Sequence, residues 1–231
     1  MEGTEVRKLA ALEDAHWWYR ERRHLLARMI DGLRPGTALD IGAAGGGNTR
    51  VLRAHGWSVS ALEYGADGAE VAAERGLAVV RGDATALPVG DASLDLVVAF
   101  DVLEHIVDDD TAVAEVHRSL RPDGMFLIAV PADPRLWSEH DVAVDHVRRY
   151  TRATLRAVLE RNGFEVLSMT SWNVLLRPVV ALRRKKASGS DLETVHPVVN
   201  LGLRAIVTVE RYLPVKAMPG VTLMVRARPR R

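Results

Sequence analysis

Short apolar runs alternate with amphipathic segments along most of the chain. The apolar runs cover residues 37–42, 58–63, 78–83, 94–100 and 125–131, and helical patterns fall between them at 48–55, 68–74 and 110–120. Strands that alternate with helices of this length form βαβ units, whose strands pair in a parallel sheet. The pattern therefore predicts an α/β domain.

The last third of the chain continues the sheet and interrupts it with an insertion. A helix is predicted at Arg152–Arg161, and strands are predicted at 164–169 and 221–227. Between these strands, residues 173–215 hold two apolar helical patterns, separated by the basic and then flexible segment 183–191. This stretch is too short for a core of its own. We therefore predict an insertion rather than a second domain.

The whole chain is predicted to form one domain with four parts. Residues 1–36 form an N-terminal helical part, whose helix ends near Leu33, and residues 37–172 form the core, with a turn at 121–124. Residues 173–215 form the helical insertion, and residues 216–231 form the last strand and a basic tail. The insertion can serve as a lid, as a homodimer interface or as a surface that lies on a membrane. We expect a lid or an interface and no stable membrane anchor.

Composition narrows the functional classes. The chain has 231 residues, a formal net charge of +1 and no cysteine. The near-neutral charge argues against a general nucleic-acid interface, and the lack of cysteine excludes disulfides and thiolate chemistry. The first residues lack the apolar core of a signal peptide, and no uncharged apolar run reaches the roughly 18 residues of a membrane span. We expect a cytoplasmic protein.

A glycine-rich loop follows the first predicted strand and begins a helix. Glycines allow a sharp turn and close approach of a ligand, and a helix start offers free amide donors. Gly42, Ala44 and Gly47 fit a dinucleotide-binding pattern, which would suit a dehydrogenase. The loop also resembles motif I of class I S-adenosylmethionine-dependent methyltransferases, with Asp40 as its acid and Gly42 and Gly46 as two of its glycines. Ala44 stands where the middle glycine is usual.

Later segments match further motifs of the same methyltransferases in the same order. Glu63 ends the second strand, where a carboxylate accepts both ribose hydroxyls in either cofactor family. The resemblance implies further cofactor contacts from residues after the second, third and fourth strands, namely Tyr64, Asp83, Ala84, Phe100, Asp101, Leu103 and His105. It also implies a Rossmann-like, seven-stranded, mostly parallel sheet with helices on both faces, an antiparallel last strand and S-adenosylmethionine over the carboxyl ends of the first strands.

The N-terminal segment His16–Arg23 resembles the helix that lies across the cofactor in one methyltransferase subgroup. Arg23 or Arg20 would clamp the methionine carboxylate, because a guanidinium pairs with carboxylates in a planar fork. Tyr19 or Trp18 would cover the sulfonium, which an aromatic face attracts. In the alternative interpretation, the tryptophans belong to the core and the arginines lie on the surface.

A polar loop follows the fifth strand, at residues 136–151. It resembles a segment of bacterial methyltransferases often associated with glycan or natural-product pathways. Its histidines are candidate bases, because methyl transfer to an alcohol requires that a proton leave. We expect His146 or His140 to be this base, with Asp141 fixing the tautomer. His105 is a third candidate.

The sequence therefore predicts a methyltransferase that O-methylates a small molecule, with a carbohydrate as one candidate acceptor. N-methylation of an amino sugar or amine is the enzymatic alternative, and a module that binds S-adenosylmethionine without turnover is another. His140, Asp141 and Asp145 in the polar loop offer ligands for a divalent metal such as Mg²⁺.

Overall fold

The computed structural model describes Arg7 and residues 10–13, 15–184 and 195–230. Its strands are β1 Thr37–Ile41, β2 Ser58–Glu63, β3 Val79–Arg81, β4 Leu94–Phe100, β5 Leu120–Pro131, β6 Phe164–Trp172 and β7 Thr222–Pro229. The α-helices are α1 Trp17–Ile30, α2 Gly47–Ala54, α3 Ala66–Glu74, α4 Asp109–Ser119, α5 Glu139–Ala143, α6 Arg152–Arg161, α7 Arg177–Arg184 and α8 Pro197–Glu210.

The strands of the described residues form one seven-stranded sheet in the order β3-β2-β1-β4-β5-β7-β6. Strand β7 runs antiparallel to both β5 and β6, whereas the pairs formed among β1 to β5 are parallel. This arrangement confirms the predicted Rossmann-like sheet. The strand order reverses between β1 and β4, which places a ligand crevice at their carboxyl ends.

Strand β4 shows why the central strands are largely apolar. Val97 and Ala99 point into a core that α4 and α6 cover. Leu96, Val98 and Phe100 point into a second core, on the face that α1, α2 and α8 cover. A strand buried on both faces has no need for a polar side, so it lacks the alternation of a half-exposed strand.

Several element boundaries differ from the sequence prediction. The segment predicted as a turn at 121–124 lies within β5, whose pairing with β4 jumps from Leu94↔Leu120 to Leu96↔Met125. The Arg121 guanidinium, 2.5 Å from the Asp95 carboxylate, ties this irregular segment to β4. Strand β6 extends past residue 169 because it pairs with β7 as far as Trp172.

The insertion is helical where it is described, and it packs on the N-terminal helix. The side-chain oxygen of Asn200 in α8 accepts a hydrogen bond of 2.8 Å from the backbone N–H of Trp17. Arg211, just after α8, forms an ion pair with the buried Glu21 of α1. Part of the segment predicted to separate the two helices, residues 185–191, lies outside the described residues. Every described helix is too short or too polar to span a bilayer.

Candidate active site

The carboxyl edge of the sheet carries an unusual set of backbone conformations. Ala44, Asp101, Asp133 and Asn173 follow β1, β4, β5 and β6, and their φ angles are +46°, +58°, +61° and +61°. Side chains other than glycine rarely adopt this left-handed region, which costs about 1–3 kcal/mol at each position. Such strain concentrates at functional sites, so the conformations mark this edge as the candidate active site.

The glycine loop reaches this edge in the form that the sequence predicted. Gly42 and Gly46 both have positive φ, +67° and +79°. A Cβ on Gly46 would overlap the side chain of Leu77, and one on Gly42 would lie 2.8 Å from Val102. Both positions therefore favour glycine by their backbone conformation, and a Cβ at either would also require the Leu77 or Val102 side chain to move. Ala44 also has a positive φ, and it is exposed to solvent.

Glu63 lies beside this loop, at the end of β2. One of its carboxylate oxygens accepts a hydrogen bond from the backbone N–H of Ala44. Partial burial raises the pKa of Glu63, and the Ala44 hydrogen bond opposes that rise. The start of α3 is close, since a Cβ on Gly68 would lie 2.6 Å from the other carboxylate oxygen. Glu63 thus joins the loop to the neighbouring strand, where an acid was predicted to bind ribose.

Asp40 lies under the loop instead of on its surface. Its side chain is completely buried, and one oxygen accepts a hydrogen bond of 2.6 Å from the Thr49 hydroxyl in α2. Burial raises the pKa of Asp40 to about 7, although the Thr49 hydrogen bond opposes the shift. Asp40 therefore holds the first turn of α2 against β1, and its contact with a cofactor stays a prediction.

Three of the predicted cofactor contacts, Tyr64, Asp83 and Ala84, lie near the ends of β2 and β3. Asp83 is exposed, and one of its oxygens accepts hydrogen bonds of 2.8 Å from both the backbone N–H and the hydroxyl of Thr85. Ala84 is buried, whereas Tyr64 is largely exposed. A bound adenosine would find a carboxylate, a small apolar surface and an aromatic ring in this region.

The end of β4 supplies the other predicted cofactor residues. Phe100 and Leu103 are buried, and Asp101 and His105 are exposed. The Asp101 carboxylate pairs with Arg22 of α1 at 2.7 Å. This pair joins α1 to the candidate site, although its two residues are 79 positions apart in the chain.

Arg22 was not singled out by the sequence analysis, yet it is the arginine of α1 that reaches the site. Its guanidinium lies 4.9 Å from the ring centre of Phe100, 5.7 Å from that of Trp172 and 5.9 Å from that of Trp18. Arg20 is exposed, and Arg23 donates a hydrogen bond of 2.6 Å to the Glu13 carbonyl. The helical spacing of Trp18 and Arg22, four residues apart, could have indicated their common face.

Tyr19 lies on the same part of α1. Partial burial raises the pKa of Tyr19, and the Glu13 and Asp101 carboxylates raise it further. The side chain therefore remains a neutral phenol across the physiological pH range. A neutral aromatic ring close to Asp101 agrees with the predicted position beside a sulfonium, which stays a prediction.

The polar loop after β5 brings His146 and Asp141 together. Nδ1 of His146 lies 2.8 Å from an oxygen of Asp141, which is completely buried. Asp141 also accepts hydrogen bonds of 2.8 Å from Arg149 and 3.0 Å from the backbone N–H of Ser138. Because the carboxylate accepts, Nδ1 of His146 carries the proton and Nε2 presents a lone pair when the ring is neutral.

Two further side chains face His146 from the short helix Leu103–His105. The ring of His105 lies 4.8 Å from that of His146. Glu104 is completely buried, and neither of its carboxylate oxygens has a hydrogen-bond partner among the described residues. Burial raises the pKa of Glu104 well above its usual range, and the Asp101 charge adds to that rise. The role of Glu104 could not be predicted from the sequence, because an acid within a helical turn carries no signal of burial.

His140, the other histidine predicted as a base, belongs to α5. Its ring centre lies 6.2 Å from that of His146. The metal ligands considered from the sequence were His140, Asp141 and Asp145. Among the described residues, the ligand atoms that come together are instead those of Glu104, His105 and His146, all within 4.8 Å of one another.

Helix α7 of the insertion packs against the segment that follows β5. Arg177, at the start of α7, forms an ion pair with the strained Asp133 after β5. Arg184, at the end of α7, lies 3.6 Å from Asp141 and donates a hydrogen bond of 3.1 Å to the Leu136 carbonyl. Helix α7 is therefore attached at both of its ends to the segment that follows β5.

Comparison with known proteins identifies a family that the chain matches. Residues 15–169 match the family described as "Methyltransferase domain". A probable S-adenosylmethionine-dependent methyltransferase from Mycolicibacterium smegmatis is 31% identical over 169 residues, which are 71% of this chain and 65% of the relative. A ubiquinone biosynthesis O-methyltransferase from Pseudomonas paraeruginosa is 30% identical over 58% of this chain and 66% of its own length. The chain thus spans slightly less than two thirds of either relative.

Solved structures share the same architecture. A protein solved in complex with the Haloferax volcanii Trm112 methyltransferase activator superposes with a TM-score of 0.68, over 99% of this chain and 95% of that one. Its sequence is 22% identical. At this identity the likeness establishes the fold alone.

Proposed function

The chain belongs to the methyltransferase domain family, and from this premise we propose that it transfers the methyl group of S-adenosylmethionine to a hydroxyl group of a small molecule. A saccharide hydroxyl is the acceptor that the polar loop favours, because its many donors and acceptors suit a polar ligand. The observation that carries the proposal is the Asp141–His146 pair, which lies in the polar loop that follows β5.

The cofactor half of the proposal rests on groups that line this edge. The glycine loop begins α2, and a carboxylate suits this helix start; in the structure the backbone N–H of Gly47 donates to the Glu13 carboxylate there. Glu63 would accept the ribose hydroxyls, Asp83 and Ala84 would meet the adenine, and Phe100 and Leu103 would wall the pocket. Arg22 has a buried guanidinium among aromatic rings. It is better placed than Arg20 or Arg23 to hold the methionine carboxylate.

The acceptor half rests on His146. Its Nε2 presents a lone pair because Asp141 accepts from Nδ1. Such a nitrogen activates a hydroxyl in one of two ways: it takes the proton itself as a general base, or it holds a cation that lowers the pKa of the bound hydroxyl. Either way, the hydroxyl oxygen bonds to the methyl carbon, and the carbon–sulfur bond breaks with its electron pair left on sulfur. Helix α7 would form the wall of the acceptor pocket.

Replacement of His146 tests this acceptor role. In His146→Ala, turnover should fall by about 10²–10⁴-fold, which is the usual contribution of a group that removes a proton during reaction. The affinity for S-adenosylhomocysteine should stay nearly unchanged, because the ring lies on the acceptor side. The measurements are turnover, cofactor affinity and melting temperature, with His140→Ala alongside and His55→Ala, at the far end of α2, as a matched control.

The outcome separates catalysis from packing. Near-wild-type turnover in His146→Ala would contradict the role of His146, and a loss confined to His140→Ala would transfer that role to His140. A structural histidine would lower the melting temperature first, with activity lost only as folding fails.

A further inference from the structure

The backbone fixes which nitrogen of each facing histidine is available. Nδ1 of His105 lies 3.2 Å from the Asp145 carbonyl oxygen, and Nδ1 of His146 lies 2.8 Å from the Asp141 carboxylate. Both partners can only accept, so both Nδ1 atoms carry a proton. Both Nε2 atoms then present lone pairs. Imidazoles that bind metal ions in proteins almost always have their second nitrogen held in this way, by a carbonyl or a carboxylate.

The third member of the cluster is an acceptor as well. Glu104 is completely buried, without a hydrogen-bond partner among the described residues. One of its oxygens lies 3.8 Å from Nε2 of His146, which is too far for a hydrogen bond. The nearby cation Arg22 pairs with Asp101. When Glu104 is ionised, three acceptor groups meet around one point, and the buried carboxylate then requires a compensating partner.

The main chain holds the three groups at this point before any ligand binds. The backbone N–H of Val147 donates a hydrogen bond of 2.8 Å to the Glu104 carbonyl, and that of His146 donates one of 2.8 Å to the Asp141 carbonyl. Asp145, directly before His146, has the left-handed φ of +59°. His105 is exposed to solvent, so a ligand has a way in.

We propose that Glu104, His105 and His146 bind a divalent first-row transition-metal ion, such as Zn²⁺ or Mn²⁺. Two imidazoles and one carboxylate suit these ions better than Mg²⁺, which prefers oxygen ligands and water. The ligand atoms now lie within 4.8 Å of one another. Metal–ligand bonds of about 2.1 Å require them to approach further, by side-chain rotations of the exposed His105 above all.

The role of the ion rests on the proposed hydroxyl acceptor. A hydroxyl coordinated at the remaining open position of the ion has a lowered pKa, and its proton passes to water. The oxygen can then attack the methyl carbon. In this account His146 activates the acceptor through the ion, and Asp141 orients His146 as its hydrogen-bond partner.

A cobalt titration tests the site apart from catalysis. The full chain, stripped with a chelator, is titrated with Co²⁺, and the visible absorption of the bound ion is followed. One equivalent should bind, and His105→Ala and Glu104→Gln should each weaken binding by at least about 10-fold. His55→Ala should bind as the wild type does. Because His105 is exposed, its replacement should leave the fold intact, and melting temperatures check the other variants.

Equal cobalt affinity in the wild type, His105→Ala and Glu104→Gln would overturn the proposal, as would the lack of saturable binding. The two proposals fail separately. Cobalt binding at these residues without methyl transfer to any hydroxyl would leave the metal site and remove the proposed function. Hydroxyl methylation that persists in the chelator-treated protein, without cobalt binding, would remove the metal site and leave His146 as the base.

Discussion

At the residue scale, the candidate site depends on charged groups that are withdrawn from water. Asp40, Glu104 and Asp141 are all completely buried, yet they differ in their partners. Asp141 accepts from a histidine and an arginine, Asp40 accepts from one hydroxyl, and Glu104 faces other acceptors. A buried carboxylate is costly unless it is compensated. Because their hydrogen-bond partners differ, we expect the three acids to have different roles.

Asp40 makes the stability of the protein depend on pH. An Asp ionises near 3.8 when unfolded, whereas burial raises the pKa of Asp40 to about 7 in the folded chain. Between these values the folded state holds a proton that the unfolded state has lost, so stability falls as pH rises from about 4 to 7. Asp40→Asn should remove this fall. Its free energy of unfolding relative to wild type should improve by up to about 4 kcal/mol across that range.

Denaturant unfolding of both proteins at several pH values checks this expectation. Asp31→Asn, which changes an exposed acid after α1, serves as the control for the change of net charge. A constant difference between Asp40→Asn and wild type from pH 4 to 7 would show that Asp40 titrates normally.

Glu63 gives a second prediction at this scale. Its carboxylate is expected to accept two ribose hydroxyls, so Glu63→Ala should weaken S-adenosylhomocysteine binding by about 2–4 kcal/mol. Calorimetric titration measures the change. Glu70→Ala, which removes an exposed acid from the following helix α3, is the matched control. An unchanged dissociation constant for Glu63→Ala would remove this residue from the ribose site.

At the element scale, the sequence predicted strands better than boundaries. Strand β4 was predicted at its observed residues, Leu94–Phe100, because a strand covered on both faces is largely apolar, and Asp95 is its one polar residue. Helix α6 likewise has its predicted limits, with Thr151 capping its first turn. The irregular start of β5 was missed because it depends on the Arg121–Asp95 contact. A local pattern carries no information about such a partner.

The site residues also divide into those that a local sequence pattern predicts and those that depend on contacts between distant segments. Positions within a motif, such as Gly42 and Glu63, could be assigned from spacing, because strand ends in this fold meet at one edge. The Arg22–Asp101 pair and the Glu104–His146 approach join distant segments of the chain. Only the packing of α1 and of the polar loop brings them together.

Asn200 tests how α8 supports α1. Its side-chain oxygen accepts from the backbone N–H of Trp17 at 2.8 Å, and its amide donates to the Ala15 carbonyl at 3.2 Å. Asn200→Ala leaves the first N–H of α1 without this acceptor and should cost about 1–2 kcal/mol of stability. Leu201→Ala, at an exposed neighbouring position, should stay within about 0.5 kcal/mol of wild type. Equal denaturation midpoints for the two variants would contradict the role of Asn200.

At the scale of the whole molecule, the fold serves to bring two half-sites to one edge. The first strands carry the glycine loop, Glu63 and Asp83, and the segments after β4 and β5 carry the histidines, Glu104 and Asp141. Helix α1 is tied to the second group by the Arg22–Asp101 pair, and α7 is tied to it by Arg184, which lies 3.6 Å from Asp141. A methyl donor in the first half would thus face an acceptor in the second. This geometry is what the proposed reaction requires.

The most direct test of this account is the fate of a labelled methyl group. S-adenosylmethionine with a ¹³C-methyl group is incubated with the full chain and a panel of saccharides, other alcohols and matched amines, and the products are identified by NMR and mass spectrometry. The account predicts that the label appears as a methyl ether on a hydroxyl acceptor, with loss of that product in His146→Ala. Label found only on nitrogen, or cofactor binding without transfer to any acceptor, would contradict it.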